Sequence, residues 1–264
     1  MATTCPRHVL ITGGSRGIGL AIAQLFARNS YRCTLIARNE ENLLAAVNTL
    51  TPLSSSHLND RTKCHAYIAG NLAKGSEFWD THFPRHVIQT LPEQAAIHVL
   101  VNCAGMTQSS LFIRTGFSQT EDIVNLNLTA LMVGTRTLLY RKYFCRTAGD
   151  MASFSPSIIN VSSLLGLSGG YGAVTYAASK AGVLGFTRAL ATEYASHKVR
   201  VNAIVPGYVM TDMTKDLDEE HLKRRIPLGR FGRPEEIAKA ALFLAETEYA
   251  HNCVLNLDGG LSAV

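Results

Sequence analysis

Tyr176 and Lys180 are the residues of this chain whose types and spacing best suit acid/base chemistry. They stand four apart in an alanine-rich segment, so on a helix they share one face and the phenol and the ammonium point the same way. A free tyrosine has a pKa of about 10 and is a poor proton donor at neutral pH, whereas a nearby cation favours the phenolate. The pair therefore predicts a proton donor whose pKa is lowered toward neutrality by Lys180.

Ser163 adds the context that such a pair needs. Taken alone, a Tyr-x-x-x-Lys pattern more often marks a solvated helix face on which an aromatic ring packs. Thirteen residues before Tyr176, however, Ser163 closes the apolar run of residues 157–163. That run is typical of a buried strand, and open α/β sheets bind ligands at the carboxyl ends of their strands. We therefore expect the Ser163 hydroxyl to lie at a ligand site.

A glycine-rich turn near the start of the chain predicts a dinucleotide site. Residues 8–12 form a short apolar strand, the turn follows at 13–19, and an amphipathic helix comes next. Glycines allow close backbone approach, and the helix N-terminus offers free N–H groups and a partial positive charge to a pyrophosphate. A glycine pattern alone is weak evidence, but its place between a strand and a helix strengthens it. The cofactor-binding residues expected in this turn are Gly13, Ser15, Arg16, Gly17, Ile18 and Gly19.

The second strand, residues 32–37, ends where an NAD site usually carries an acid for the adenosine ribose. Ala37, Arg38 and Asn39 stand there, and none is acidic. Arg38, together with Arg16, supplies guanidinium groups that suit a 2′-phosphate. The alternative is two solvated arginines. The pattern favours NADPH as the cofactor.

Further strands and helices alternate regularly along the chain, which predicts one domain over residues 1–264. A third strand, 63–69, ends at Gly70, and Asn71 and Leu72 follow at the adenine. A fourth strand, 97–105, has a small-residue end along which a cofactor could pass. The helix after it carries Asn127, which we place near the sheet centre. Surface insertions are expected at 51–61 and 147–156.

Several classes of protein do not fit the composition. The six cysteines are scattered without a Cys-x-x-Cys pair, which favours a reduced compartment. No metal is expected, because His82 and His86 have Pro84 between them and no third ligand. No apolar run approaches the ~18 residues of a membrane span. No nucleic-acid recognition motif accompanies the net charge of +5, so a DNA-binding role is not expected.

Charge is unevenly spread along the chain, since five arginines precede the first acid, Glu40. An arginine-rich start without acids resembles a mitochondrial presequence. The first strand begins by about His8, however, so cleavage would destroy the fold. Uncleaved import into the mitochondrial matrix is the favoured expectation, and a cytoplasmic location, with the charge pattern due to chance, is the alternative.

Motifs spread over nearly the whole chain resemble the short-chain dehydrogenase/reductase family. They are Thr12–Gly19, Asn102–Gly105, Asn127, Ser163, Tyr176 with Lys180, and Pro206–Met213. Within that family, residues 211–217 and 226–238 and the Leu-Asp-Gly-Gly at 257–260 resemble the 3-oxoacyl-acyl-carrier-protein reductases of fatty acid synthesis. Residues 102–115 are similar to the fungal mitochondrial version.

The resemblance implies a role for each matching residue. Ser163 would polarise a substrate carbonyl, Tyr176 would protonate it, Lys180 would hold the nicotinamide ribose and tune Tyr176, and Asn127 would support a proton relay. Cofactor contacts would also come from Asn102, Ala104, Gly105, Pro206, Gly207, Val209 and Thr211, the last two clamping the carboxamide. Two residues depart from the family pattern. Cys103 stands where a second Asn is common, and Asn71 where Asp is usual.

The fold implied is a doubly wound α/β domain with seven parallel strands in the order 3-2-1-4-5-6-7. The implied activity is NADPH-dependent reduction of a 3-oxoacyl group, carried by acyl carrier protein, to the 3-hydroxyacyl product. A broad carbonyl or quinone reductase is the alternative enzyme, and a non-catalytic nucleotide-binding subunit of a hetero-oligomer is the alternative from another class. Residues 215–233 would form a substrate lid, and the C-terminal end would help build a homotetramer.

An acidic carrier protein needs a basic docking surface beside the cleft. Two groups of basic residues follow helices and are predicted to flank it: Arg141, Lys142 and Arg146, and Lys198 with Arg200. Basic residues at helix C-termini also complement the helix dipole, which is the alternative explanation.

Overall fold

Short buried strands form the centre of the molecule. The computed structural model describes residues 6–53, 64–90, 96–144 and 154–264. The strands are β1 His8–Thr12, β2 Arg32–Ala37, β3 Ala66–Ala69, β4 Val99–Asn102, β5 Ser157–Val161, β6 Arg200–Pro206 and β7 Val254–Leu257. The helices are α1 Gly17–Arg28, α2 Glu40–Asn48, α3 Phe83–Thr90, α4 Phe117–Val124, α5 Ala130–Tyr140, α6 Leu165–Ser168, α7 Val174–Tyr194, α8 Glu219–Arg225 and α9 Pro234–Glu246.

All seven strands pair in parallel in the order β3-β2-β1-β4-β5-β6-β7. The order reverses at β1, where Val9 pairs with Cys33 on one side and with Val99 on the other. Such a reversal opens a crevice at the carboxyl ends of the strands. The predicted fold class and strand order are confirmed.

Alternate residues of each strand face two separate apolar layers, as the pleat requires. Val9 and Ile11 point into a core with helices α1, α2 and α9, whereas Leu10 points into a second core with α3, α5 and α7. Burial on both faces explains why the strands are continuous apolar runs rather than alternating ones. Among the described helices, none has both the length and the apolar composition to cross a bilayer.

Some strands are shorter than the sequence predicts, for local reasons. β4 ends at Asn102 because the next two amides, those of Cys103 and Ala104, donate to the Thr12 hydroxyl at 3.1 and 3.2 Å instead of continuing the ladder. β7 begins only at Val254, because Asn252 has a φ of 57° and turns the chain. β3 begins at Ala66 rather than at residue 63. The insertions predicted at 51–61 and 147–156 lie mostly outside the described residues.

The long helix predicted around Asn127 is present, with one irregularity. α4 runs into a π-helical turn, Asn125–Thr129, and α5 continues from it. A π-helical turn rotates the side chains that it carries relative to a regular α-helix, and such turns are frequent at functional sites.

The basic groups predicted to flank the cleft lie at the wrong edge of the sheet. Arg200 begins β6 at the amino edge, where its buried guanidinium donates to the carbonyls of Leu244 and Ala245, each at 2.6 Å. Arg141 ends α5 and pairs with Asp80 at 3.0 Å.

The physical reason is the winding of the chain. A helix that leaves the carboxyl end of one strand must return to the amino end of the next, so its C-terminus lies opposite the cleft. Lys142 and Lys198 occupy tight turns of positive φ just after α5 and just before β6. The docking prediction is therefore wrong for the described residues, and Arg146 lies outside them.

Candidate active site

Three predicted catalytic side chains lie together at the carboxyl end of β5. Ser163 follows that strand by two residues, and α7 brings Tyr176 and Lys180 against it. The Ser163 hydroxyl lies beside the Tyr176 phenol, close enough to favour its ionised form. Lys180 is only 5% exposed, and its Nζ lies 5.9 Å from the Tyr176 ring centroid and donates to the Val161 carbonyl at 2.8 Å. Ser163 and Lys180 are therefore buried, whereas Tyr176 is partly exposed.

Electrostatics at Tyr176 differ from the expectation that Lys180 lowers the pKa of the phenol. Burial raises the pKa of Tyr176, and the neighbouring Ser163 hydroxyl opposes that rise. Burial also lowers the pKa of Lys180 to about 8. The expectation is wrong for this structure, because desolvation of the phenolate has the largest effect on this pKa and Lys180 is not among the groups that shift it. Tyr176 accordingly keeps its proton at neutral pH.

Cys103, one of the two departures from the family pattern, lies close to this cluster. Burial raises the pKa of its thiol to about 11, although the positive charge of Lys180 acts in the opposite direction. The thiol is therefore neutral at physiological pH and is a poor nucleophile.

Asn127 is fully buried in the π-helical turn and holds the loop after β4. Its Oδ1 accepts from the Met106 amide at 2.8 Å, and its Nδ2 donates to the Met106 carbonyl at 3.0 Å and to Ser179 Oγ at 3.1 Å. Both ends of the side-chain amide are therefore engaged. The predicted proton relay stays a prediction, one in which the Asn127 side chain has little hydrogen-bonding capacity left.

The glycine loop has the geometry that a bound phosphate requires. Gly13 has a φ of 70°, and a Cβ there would lie 2.8 Å from the backbone of Ala104. A Cβ at Gly19 would lie 2.2 Å from the Gly13 carbonyl oxygen, so the loop closes only with glycine at this position. The first turn of α1 carries no acid, and Ile18 packs against the core below. Together with Ser15 and Gly17, which lie in the same loop, these residues fit a pyrophosphate.

Arg38 is available to an adenosine phosphate. It is exposed after β2, and none of the described residues forms an ion pair or hydrogen bond with its side chain. Its neighbour Asn39 instead caps α2, accepting from the Asn42 amide at 2.7 Å. Arg16 pairs with Asp212 at 3.1 Å, and both side chains are well exposed. A charged ligand could compete for such a pair at small cost.

Three other predicted cofactor residues use their side chains elsewhere. Asn102 is buried, and its Nδ2 donates to Asn160 at 2.9 Å and to Thr135 at 3.1 Å, so its side chain does not reach the cleft. Leu72 is buried in the second apolar core. Asn71 Oδ1 accepts from the Ala73 amide, which leaves only Nδ2 for an adenine. For Asn102 and Leu72 the predicted cofactor contact stays a prediction, one that their backbone atoms would have to make.

The segment after β6 lies over the glycine loop. Pro206 ends β6, and a Cβ at Gly207 would lie 2.8 Å from Asp258 Cα, so the chain turns tightly there. Val209 is buried and forms a bridge with residue 232. The Thr211 methyl would lie 3.3 Å from a Cβ on Gly17. The two stretches predicted to hold the pyrophosphate and the carboxamide of a dinucleotide are therefore neighbours in space.

Comparison with known proteins decides the family. A family model described as short chain dehydrogenase matches residues 7–222. The chain belongs to the short-chain dehydrogenase family. It is therefore an oxidoreductase by family, and the predicted family resemblance is confirmed.

Relatives of this short-chain dehydrogenase cover almost its whole length. It is 42% identical over 254 residues to a human protein named 3-oxoacyl-[acyl-carrier-protein] reductase, covering 96% of this chain and 97% of the relative. It is 38% identical over 253 residues to carbonyl reductase family member 4 of Xenopus laevis, covering 95% and 96%.

A solved structure resembles this short-chain dehydrogenase across the full fold. The crystal structure of a putative 2-deoxy-d-gluconate 3-dehydrogenase from Agrobacterium tumefaciens, with bound NADP, is 29% identical and has a TM-score of 0.77. The match covers 98% of this chain and 97% of that chain.

Sequence reasoning missed three residues that shape the site of this short-chain dehydrogenase. Thr12 anchors the exit of β4, and its place directly before the glycine turn was a usable signal. Ser179 donates to the Tyr176 carbonyl at 2.7 Å, and it lies in the same helical turn. Gln108 accepts from the amides of Thr175 and Tyr176, and nothing in its sequence surroundings predicts this contact.

Proposed function

We propose that this short-chain dehydrogenase reduces the 3-oxo group of an acyl chain on acyl carrier protein, using NADPH. The observation that carries the proposal is the cluster of Ser163, Tyr176 and Lys180 beside the glycine loop. The named relative at 42% identity over nearly the whole chain supports the choice of substrate. Ser163, Tyr176 and Lys180 keep the catalytic roles that the sequence predicts for them.

Each side chain of the cluster contributes a separate step. When bound, the nicotinamide cofactor supplies a hydride to the carbonyl carbon. The Ser163 hydroxyl donates to the carbonyl oxygen, and Tyr176, protonated at neutral pH, delivers the proton that completes the alcohol. Lys180, whose Nζ is held at the Val161 carbonyl, provides the cation that stabilises the phenolate left behind. Burial of Ser163 and Lys180 limits the access of water to this side of the cluster.

NADPH rather than NADH is proposed from the charges at the adenosine end. Arg38 has no partner among the described residues, and no acid stands between Ala37 and Asn39. Arg16, paired only with the exposed Asp212, can turn to the same phosphate. A guanidinium binds phosphate oxygens in a bidentate manner, which a ribose hydroxyl cannot match.

Docking of the acidic carrier is assigned to the carboxyl edge of the sheet. Arg114 follows β4, and Arg224 and Arg225 lie on α8 after β6. All three are exposed, and none of the described residues forms an ion pair with them. These residues replace the two basic groups that the structure places at the opposite edge. Rim charges of this kind mainly accelerate encounter.

Assembly and location complete the proposal. We propose one domain over residues 1–264 and a homotetramer, because several large apolar side chains are exposed on the monomer: Phe117, Tyr140, Phe243, Tyr249 and Val264. Analytical ultracentrifugation tests the tetramer.

The acid-free, arginine-rich stretch before Glu40 supports the mitochondrial matrix over the cytoplasm. A metal-free site remains part of the prediction.

Two other functions compete with this one. A broad carbonyl or quinone reductase would use the same cluster, and the carbonyl reductase name of the Xenopus relative favours it as the second candidate. A non-catalytic subunit of a hetero-oligomer would not need Ser163, Tyr176 and Lys180 together.

Steady-state kinetics separate these functions. The 3-oxoacyl group is offered on carrier protein and on coenzyme A, beside a small quinone, with NADPH and with NADH. The proposal expects the highest kcat/KM with NADPH and the carrier-bound substrate, falling as salt screens the docking charges. Arg225→Glu should raise KM severalfold for the carrier-bound substrate alone, whereas Arg141→Glu, at the opposite edge, is the matched control. Higher efficiency on the quinone would favour the carbonyl reductase, and no turnover on any substrate would favour the subunit.

A further inference from the structure

Helix α7, which carries Tyr176, lacks a cap of its own. Its N-cap residue is Ala173, which has no side-chain oxygen. The first intrahelical bond runs from the Ala177 amide to the Ala173 carbonyl at 2.7 Å, so the preceding amides need partners from outside the helix. Alanine is among the least favourable residues at this position.

Gln108 provides that partner from the loop after β4. Its Oε1 accepts from the Thr175 amide at 2.9 Å and from the Tyr176 amide at 3.1 Å. The two amides lie 67 and 68 positions further along the chain. Gln108 is only 5% exposed, so water does not compete for these bonds. One side-chain oxygen thus satisfies two of the open donors of α7.

The other end of the Gln108 amide fixes its orientation. Nε2 donates to Thr115 Oγ1 at 2.8 Å and to the Ser110 carbonyl at 3.2 Å. A flipped amide would place NH2 against two N–H donors and oxygen against a carbonyl, so only one orientation satisfies all four bonds. The loop itself is held by Asn127 through Met106.

The backbone of Tyr176 is therefore held on both sides. Gln108 binds its amide, and Ser179 donates to its carbonyl at 2.7 Å while accepting from Asn127. A phenol that must meet a substrate oxygen has little tolerance for displacement, since a shift of about 1 Å can cost on the order of 100-fold in rate.

We propose that Gln108 is a positioning residue for the reaction: it caps α7 from a distance and thereby holds Tyr176 in register with Ser163. This rests on the proposed function, because positioning matters only if Tyr176 donates a proton. Gln108 does not itself touch the reacting atoms.

Three variants test the proposal. Gln108→Met keeps the length of the side chain and removes every hydrogen bond, whereas Gln108→Glu keeps the oxygen that accepts from the helix and, as a buried carboxyl that stays protonated, can still donate to the Ser110 carbonyl through its O–H. Asn202→Ala is the matched control, because Asn202 is also a buried amide that links a backbone N–H to a backbone carbonyl, but between β6 and the start of β7.

Amide hydrogen exchange gives a readout that needs no substrate. In the Met variant the amides of Thr175 and Tyr176 should exchange at least about tenfold faster than in the wild type, while Gln108→Glu and Asn202→Ala leave them within about threefold. Exchange as slow as in the wild type would overturn the capping role.

Kinetics then separate positioning from general stability. With the best substrate of the wild type, Gln108→Met should lower kcat about tenfold or more with KM changed less than about twofold, and Gln108→Glu should restore most of the loss. The alkaline limb of kcat should move to higher pH in the Met variant, because Tyr176 loses the Ser163 contact that lowers its pKa. A loss of kcat equal to that of Asn202→Ala, with an unmoved limb, would overturn the proposal.

Failure of the capping proposal and failure of the proposed function give different experimental results. If Gln108→Met does not fold, Gln108→Asn withdraws the oxygen by one methylene and is judged by the same two comparisons. A wild-type protein without activity on a 3-oxoacyl thioester would contradict the proposed function, while the exchange experiment would still decide whether Gln108 caps α7.

Discussion

Two opposing effects act on the pKa of the Tyr176 phenol. Burial, the larger effect, raises this pKa, and the neighbouring Ser163 hydroxyl lowers it. Reduction of a carbonyl needs the phenol protonated before the reaction and able to release its proton during it. The structure meets the first need by burial, and the Ser163 contact and the nearby Lys180 serve the second. Ser163 is therefore expected to influence the pH dependence as well as the rate.

Ser163→Ala should shift the alkaline limb of the pH profile of kcat to higher pH and lower kcat on the order of 100-fold. The sign follows because reduction is lost as pH rises through the pKa of Tyr176, and removing the contact that lowers this pKa moves the limb upward. Ser168→Ala, a nearby serine whose hydroxyl bonds within α6, is the control. A limb moved to lower pH would contradict the account.

Arg38→Asp should move preference from NADPH toward NADH by about 10- to 100-fold in kcat/KM, the scale of a lost charge-assisted bond. The new carboxylate repels the 2′-phosphate and accepts from a ribose diol. Arg28→Asp changes an exposed arginine at the far end of α1 and serves as the control. An unchanged ratio would mean that the phosphate is recognised elsewhere.

Single site residues could be predicted where they belong to a short sequence pattern, but not where they act through a contact with a distant segment. Tyr176 and Lys180 were found from their spacing on one helix, and Ser163 from its place after a strand. Gln108 could not be found, because it bonds to amides 67 and 68 residues away and any side-chain oxygen in the right place would serve. The direction of the Tyr176 pKa was missed because burial is a property of the folded chain.

α5, which follows the π-helical turn with Asn127, packs closely against the second apolar core. A Cβ on Gly134 would lie 2.4 Å from the indole of Trp79, which is 1% exposed in the second apolar core. Trp79 packs in turn against Phe83, with ring centroids 4.9 Å apart and ring planes tilted by 50°. The absence of a side chain at Gly134 thus lets α5 approach this aromatic group closely.

Gly134→Ala should destabilise the protein by about 1–3 kcal/mol, because the added methyl overpacks a filled core. Activity should fall through displacement of Asn127 more than through the cofactor site. Gly185→Ala, inside α7 where a Cβ meets nothing within 4 Å, is the matched control and should stabilise the protein by up to about 1 kcal/mol. Chemical denaturation of both variants checks this, and equal stability would contradict the packing account.

The elements themselves were largely predictable from the sequence. β1 and β2 begin and end where the apolar runs do, and α7 follows from its alanine-rich composition. Strand ends were less predictable, as at β4, where the Thr12 hydroxyl takes the next two amides. The placement of Arg200 was wrong although the predicted parallel winding already requires the end of α7 to lie at the amino edge of the sheet, opposite the cleft.

Buried histidines gather at the amino edge of the sheet, opposite the cleft. His8 bonds to Thr34 at 2.9 Å, and His98 accepts from the His8 amide at 3.1 Å. Burial lowers the pKa of both, that of His98 to about 4, and the cations of Arg32 and Arg7 add to the effect. All these charged neighbours are positive, so protonation of either histidine is unfavourable.

Stability should therefore fall as pH drops from about 7 to about 4. The unfolded chain takes up protons below the usual histidine pKa of about 6.5, whereas the folded chain resists until pH approaches 4, so His98 alone accounts for at most about 3 kcal/mol. His98→Asn keeps an acceptor for the His8 amide without titrating, and its denaturation midpoints should depend less on pH. An equally steep pH dependence in this variant would contradict the account.

For the whole molecule, the topology followed from the regular alternation of strands and helices together with the family motifs. The parallel order places the ends of β1, β4, β5 and β6 at one edge, and the site residues come from these ends. Contacts between distant segments, such as the close approach of Thr211 to Gly17, could not be predicted from the sequence. These contacts depend on the shape of the folded chain rather than on any local pattern.

Tyr176→Phe tests the central claim most directly, since it removes one oxygen and keeps the ring. NADPH oxidation by the purified variant is measured with a carrier-bound 3-oxoacyl substrate, and NADPH affinity is measured separately by fluorescence. The account predicts a loss of several orders of magnitude in kcat, with NADPH affinity within about threefold of the wild type. A variant that keeps more than about a tenth of the wild-type rate would show that the proton comes from another group.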